Sequence, residues 1–367
     1  MMKRNILAVV IPALLAAGSV NAAEIYNKDA NKLDLTGRLH AGYAFQNQTA
    51  DNEDNTYARL GFKGQTQITS DLTGYGTFEY EFDGNDTEES NAGSGKTRKA
   101  FAGLKFSDFG SFDYGRKEGV AYNALAYTDV LPENGGDSKV TDTLTGRIGN
   151  AATFNTTDFF GLVDNLGFAL QYIAKDEDGS RLDRRHGDGW ATSLSYDSDF
   201  GVGVVAAYGA YDRTTGQKSG VVSYNRNNNV PSAKGDRADV WTTGLKYDAN
   251  NIYVAATYGE AHNFFLTGSK AKTIADESKI FEVVAQYNFD FGLTPTVAYV
   301  SRKDKINNVA NEFSVKYASV GATYAFNKNF STYVEYDISL LDKDKEHNKA
   351  WGQENNDRVD VGVIYQF

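Results

Sequence analysis

The sequence predicts an all-β protein: a transmembrane, antiparallel, up-and-down β-barrel of about sixteen strands. Three observations carry this expectation. Long segments alternate oily and polar residues, tight and long connections alternate as well, and an export signal precedes a chain with no run long enough for a membrane helix.

The chain begins MMKRNILAVVIPALLAAGSVNA, with Lys3 and Arg4 ahead of an apolar run from Ile6 to Ala17 and small residues ending at Ala22. That order of charge, hydrophobe and small residue is a secretory signal, too short to remain as a spanning helix. Residues 1–22 are therefore expected to be removed, leaving one domain over 23–367. Loss of Lys3 and Arg4 takes the formal charge from -11 to -13, and such acidity argues against nucleic acid as a partner. There is no cysteine, so the fold closes without disulfides or thiolate metal sites. The mean hydropathy of -0.48 resembles that of a soluble protein. Averaging hides a strand with one face in lipid and the other in water, however, because the two faces cancel. The 23 Tyr and 22 Phe against only 4 Pro suit a wall whose rings meet a membrane interface.

The first strand reads LDLTGRLHAGYAFQ over 33–46. Leu33, Leu35, Gly37, Leu39, Ala41, Tyr43 and Phe45 share one face, while Asp34, Thr36, Arg38, His40, Gly42, Ala44 and Gln46 share the other. About fourteen residues is long beside the usual strand of roughly five or six. In TYARLGFKGQTQIT, 56–69, the face of Ala58, Leu60, Phe62 and Gly64 is backed by Tyr57, Arg59, Lys63, Gln65 and Gln67. In LTGYGTFEYEFD, 72–83, Leu72, Phe78, Tyr80 and Phe82 oppose Thr73, Thr77, Glu79, Glu81 and Asp83. The rule recurs at 190–197, 239–248, 279–289, 319–326 and 330–340, and the chain closes on RVDVGVIYQF with Phe367 as its last residue.

Tight links are expected at 69–71, 107–110, near 164–165, and at 198–201, 248–251, 290–292 and 327–329. Polar loops are expected near 47–55, 84–95, 117–145, 175–188, 212–236, 262–278, 302–312 and 342–357. About seven short and eight long links imply about sixteen strands, an even number as such barrels require. A bilayer cannot hydrate free backbone groups, so a sheet within it must close on itself. Sixteen strands leave a lumen too wide for side chains to fill. Leu33, Leu35 and Leu39 should then face lipid, with Arg38 and His40 facing water. Arg38 and Arg59 lie on the polar faces of hairpin neighbours and can stack along one wall.

The segments AEIYNKDANKLDLTGR, TYARLGFKGQTQI, DLTGYGTFEYEF, KTRKAFAGLKFSDFGSFDYGR, YTDVLPENGGD, TGLKYDANNIYVAATYGE, FNKNFSTYVEY and the final YQF resemble the general diffusion porins of enterobacterial outer membranes, the matrix-porin type. The resemblance covers essentially the whole mature chain. It implies a homotrimer of sixteen-stranded barrels in the outer membrane of a Gram-negative cell, each passing small hydrophilic solutes and ions passively. In that family the third long loop folds into the barrel and narrows it. Its acidic residues match Asp129 and Glu133, the facing basic residues match Arg38, Arg59, Arg98 and Arg147, and Tyr122 matches a tyrosine at the constriction. Glu88, in loop 84–95, matches the latch that reaches a neighbouring subunit; a solvated loop is the plain alternative. Three positions depart from the family. Asn134 stands where close relatives often have Phe, Arg38 where many have Lys, and Gly146 where phosphate-preferring relatives have Lys. The first two bear on the exact aperture; the third, with the net acidity, favours a mild cation preference.

Opposite charges about 10 Å apart attract by only ~0.4 kcal/mol in bulk water but by about 1.7 kcal/mol at an effective dielectric near 20. A narrowed site with low-dielectric walls therefore sustains a transverse field. Water ordered by that field disfavours apolar solutes, so filtering is by size and polarity. The alternative is that these charges form structural ion pairs or scattered lumen polarity. An enzyme would need His poised with carboxylate or Ser. The four histidines, His40, His186, His262 and His347, lie on one wall and in three loops, read as solvated, so no catalysis, cofactor or metal site is expected. A substrate-specific outer-membrane channel is the alternative function. It calls for aromatics along the lumen, whereas the aromatics here fall mainly on the lipid parity. The acidic segment 175–189 reads as a solvated outer loop, with divalent ions able to bridge it to lipopolysaccharide.

Overall fold

The computed structural model describes residues 23–46, 53–85, 95–107, 109–135, 143–177, 184–218, 233, 235–267, 273–306, 310–342 and 356–367. The expected signal segment, Glu88 and His347 lie outside them. Among the described residues sixteen strands run up and down: Asn31–Gln46, Tyr57–Thr69, Leu72–Asp83, Lys96–Phe106, Gly110–Glu118, Arg147–Thr156, Leu166–Ile173, Gly189–Asp197, Val202–Asp212, Arg237–Ala249, Ile252–His262, Glu277–Tyr287, Leu293–Ile306, Ala310–Ala325, Phe330–Ser339 and Arg358–Gln366. Each pairs antiparallel with the next. The sixteenth returns to the first, from Arg38↔Gln366 to Gln46↔Arg358. Closure leaves no free edge, as a sheet in hydrocarbon requires.

Closure is completed by Ala23–Lys28 and by Phe367. Ala23–Lys28 pairs with the first strand from Ala23↔Leu35 to Lys28↔Asn31, turning back through Asp29 and Ala30 at φ 53° and 62°. Between this segment and the sixteenth strand, Phe367 accepts a hydrogen bond from Gly37 N at 2.8 Å and donates one to Gly37 O at 3.0 Å. A Cβ on Gly37 would overlap the Phe367 ring, so only glycine lets the terminal aromatic lie flat there.

Alternation along each strand sorts side chains as expected. Leu39 is 54 % exposed on the outer surface, with Tyr43, Phe45, Leu60 and Phe62, whereas His40 on the inner face is 1 % exposed. Outward positions elsewhere carry Leu170, Leu194, Val204, Leu245, Val297 and Val334. Because the chain lacks cysteine, single thiols can test this. Arg38→Cys should react with a membrane-impermeant maleimide in reconstituted protein and Leu39→Cys should not; the reverse pattern would place the wall inside out.

Two connections differ from expectation. Of the loop expected at 302–312, residues 302–306 and 310–312 are strand: the thirteenth and fourteenth strands pair as far as Ile306↔Ala310, with a bulge between Arg302 and Lys303. Their polarity signalled an inward face, for Arg302 and Asp304 are buried and paired at 3.2 Å, with the guanidinium 5.0 Å from the centre of the Phe265 ring. The turn near 164–165 spans 157–165. It is held by Asp158, whose carboxylate accepts Asn165 N at 3.0 Å, and by the clustered rings of Phe109, Phe154, Phe160 and Phe168.

Candidate functional site

The connection after Glu118 turns into the barrel. Gly119 N donates to Gly146 O at 2.7 Å, so the loop leaves and rejoins the wall at one place. A short helix, Tyr122–Leu125, follows. The apolar residues of this stretch drive the inward fold. Val120, Ala121, Leu125 and Leu144 pack on Ile148, Ala151, Ala169, Ile173, Ala191, Ala238, Val240 and Ile280, which project inward from the sixth to twelfth strands. Full burial stabilises each larger side chain by roughly 1.5–3 kcal/mol. Strand alternation alone makes every inward face polar and does not reveal this apolar inner patch; alanines at inward parity, such as Ala191 and Ala238, are its signal.

Polar anchors continue across the lumen. Thr242 Oγ1 donates to Ala121 O at 3.0 Å, Asn123 Nδ2 to Ser193 Oγ at 2.8 Å, and Thr128 to the Glu282 carboxylate. Tyr253 OH donates to Tyr127 O at 2.5 Å and Gln286 Nε2 to Val130 O at 2.9 Å. At the tip, Glu133 N donates to Glu335 Oε2 at 2.7 Å, and Asn134 Nδ2 donates to Asp337 and Asp360, each at 2.8 Å. Tyr317 OH donates to Asn134 O at 2.7 Å. Asn134 thus supplies the amide hydrogens that let the tip sit on three carboxylates.

Between loop and wall lies a space of about 650 Å³. It is lined by Arg38, Arg59, Arg98 and Arg147 from the wall and by Tyr122, Asp129 and Glu133 from the loop, all seven expected residues. Arg38 and Arg59 are direct cross-strand partners, and the Tyr57 ring lies 5.9 and 4.3 Å from their guanidinium carbons. The wall also carries its own acids. Glu81 takes Arg59 at 2.5 Å, Lys96 at 2.7 Å and Arg98 at 3.1 Å, while Glu79 takes Arg98 at 2.6 Å. Sequence reasoning put Glu79 and Glu81 on the polar face but assigned them no role, since their partners are set by register.

On the loop, Tyr122 OH donates to Asp129 Oδ2 at 2.6 Å. Burial, with Asp129 beside it, raises the Tyr122 phenol far above its usual range, so it stays a donor. Burial and the Asp360 carboxylate raise Glu133, against the pull of Arg38, so it takes up a proton at less acidic pH than a free glutamate. Two histidines correct the solvated reading: His40 and His186 are buried, whereas the partly exposed His262 lies 3.1 Å from Asp239. In a barrel, strand register and loop packing bring partners that sequence distance conceals.

A model of the Gram-negative porins matches residues 28–367. The chain belongs to that family. It is 52 % identical over 379 residues to outer membrane porin F of Escherichia coli strain K12, and 50 % identical over 385 residues to outer membrane protein F of Serratia marcescens, with full coverage of both chains in each case. Among solved structures, Salmonella typhi OmpF in complex with daunomycin superposes with a TM-score of 0.84 at 41 % identity, covering 94 % of this porin and all of that chain. The trimer form of Vibrio cholerae OmpT shares the fold, with a TM-score of 0.67 at 14 % identity over 92 % of this chain and all of that one. Membership places this porin in the outer membrane as a β-barrel channel.

Proposed function

We propose that this porin is a general diffusion channel whose lumen, narrowed by residues 119–135 of the inward-folded connection, filters small hydrophilic solutes and ions by size and charge with a mild preference for cations. The observation that carries the reading is the convergence of Arg38, Arg59, Arg98 and Arg147 with Tyr122, Asp129 and Glu133 on one space of about 650 Å³. Flux is passive, because nothing in a transverse field of fixed charges consumes energy. The carboxylates on the loop and the net charge of -13 after removal of Lys3 and Arg4 from -11 supply the cation preference. The protein works as a homotrimer after removal of residues 1–22. Its acidic outer loops meet lipopolysaccharide through divalent cations.

Neutralising the loop acids in Asp129→Asn with Glu133→Gln should shift the reversal potential under a salt gradient toward anions. The permeability ratio should change several-fold, since one lost attraction of about 1.4 kcal/mol is a factor of ten at full strength and lumen water screens part of it. Planar-bilayer recording in a KCl gradient measures this, and an unchanged reversal potential would remove the reading.

A further inference from the structure

The His40 imidazole is placed where the filter can be adjusted. Its ring lies between Tyr57, with centroids 4.7 Å apart, and Tyr333, at 5.7 Å and nearly parallel. Nδ1 is 2.9 Å from Asn55 O, and Nε2 is 2.8 Å from Tyr333 OH and 3.4 Å from Glu133 Oε2. A carbonyl only accepts, so the neutral ring carries its hydrogen on Nδ1 and turns the Nε2 lone pair toward Tyr333 and Glu133. The single Tyr333 hydrogen then has two acceptors, Nε2 at 2.8 Å and Glu133 Oε2 at 3.3 Å, and the nearer takes it. The Glu133 carboxylate is left with the longer 3.3 Å contact to Tyr333 and the neighbouring Arg38, while its backbone N–H is tied to Glu335.

We propose that His40 and Glu133 hold one exchangeable proton between them, and that this proton, drawn from lumen water, sets the ion preference of the narrowed pore. Wherever it rests, the charge of the pair goes from -1 to 0. On Nε2 it makes an imidazolium that faces Glu133 and sends the Tyr333 hydrogen to the carboxylate. On Glu133 it makes an O–H that donates to Nε2. The two residues therefore titrate as a unit rather than separately. The charged groups that face the pair from outside are Arg38 on the first strand, Arg59 on the second and Arg358 on the sixteenth, which oppose the proton, and Asp360 on the sixteenth, which favours it; the Tyr57 and Tyr333 rings flank the imidazole. His40 does not line the space that solutes cross, so it acts through Glu133 as a positioning residue. The proposal rests on the cation-preferring role given to Glu133 above.

The test follows the reversal potential of the reconstituted porin in a KCl gradient from pH 8 to pH 4, alongside the nitrogen resonances of ¹⁵N-histidine-labelled protein in detergent. The wild-type pore should lose part of its cation preference in a single step, and the His40 Nε2 signal should be unprotonated at pH 7 and titrate with that step. Glu133→Gln should remove the step and move the Nε2 titration to lower pH. His40→Val should keep the step but move it to lower pH by about one unit, the value of one hydrogen bond to the protonated carboxyl. A His40→Val pore with the wild-type profile, while Glu133→Gln flattens it, would overturn the proposal and leave the filter reading intact. An Nε2 that bears hydrogen at pH 7, or does not respond to Glu133→Gln, overturns it without any dependence on how His40→Val folds. If Glu133→Gln leaves the pH 7 reversal potential unchanged, the filter reading and this proposal fail together.

Discussion

Glu81→Gln should turn the pore toward anions and loosen the wall that carries its arginines. Glu81 is buried and receives Arg59 at 2.5 Å, Lys96 at 2.7 Å and Arg98 at 3.1 Å. Lys96 is over half exposed and its bond contributes little. Arg59 and Arg98 are mostly buried, so removing their shared carboxylate leaves two guanidinium groups facing each other without the charge between them. Breaking a dry pair costs about 3–5 kcal/mol. Lumen water reaches both arginines, so a value nearer 2 kcal/mol is expected here. The freed positive charge lines the same space as Arg38 and Arg147, so chloride permeability should rise relative to potassium. Glu79→Gln is the matched control, because among the described residues its ion pair is with Arg98, at 2.6 Å. Its effects on both the thermal midpoint and the reversal potential should be smaller. Equal effects from the two variants would mean that Glu81 is not the hub of the arginine wall.

Glu335→Ala should widen the pore and make its current noisy. The loop tip reaches across the lumen and ends on the far wall, where Glu335 accepts Glu133 N at 2.7 Å and Asn134 N at 3.4 Å. Removing that carboxylate leaves two backbone N–H groups short of a partner, each costing about 1–3 kcal/mol if it stays buried. The tip relieves that cost by moving into lumen water, carrying Glu133 with it. Single-channel conductance should increase and open-state flicker should appear on the millisecond scale of loop motion. Glu335→Gln keeps an acceptor oxygen and should restore most of the quiet behaviour. Asn134→Ala should act in the same direction with a smaller effect, because the bonds to Asp337 and Asp360, each 2.8 Å, are lost while the backbone bonds to Glu335 remain. Unchanged conductance and noise in Glu335→Ala would show that the loop tip is held without that carboxylate.

The apolar patch explains why only part of the site was legible. Alternation identifies which residues face in, as with Arg38 against Leu39, and the short first link makes Arg38 and Arg59 neighbours. It does not say what the inward residues will meet. Ala151, Ala169, Ala191 and Ala238 look like neutral positions on a polar face until Val120, Leu125 and Leu144 are laid on them. Glu81 was one acid among several until register set it opposite Arg59. The charges of segment 302–306 suggest a solvated loop, whereas Arg302 and Asp304 pair with each other on the inner face of a strand.

By itself, the sequence determined the two-faced strands, their number and the need for closure, because a period of two and the cost of unpaired backbone in hydrocarbon are local matters that any window of the chain displays. The tertiary structure alone decided how the pore is narrowed: which carboxylate holds which arginine, where the loop tip lands, and what surrounds His40. Those contacts join residues tens to hundreds of positions apart, and their energies depend on a register and a burial that exist only once the cylinder has closed.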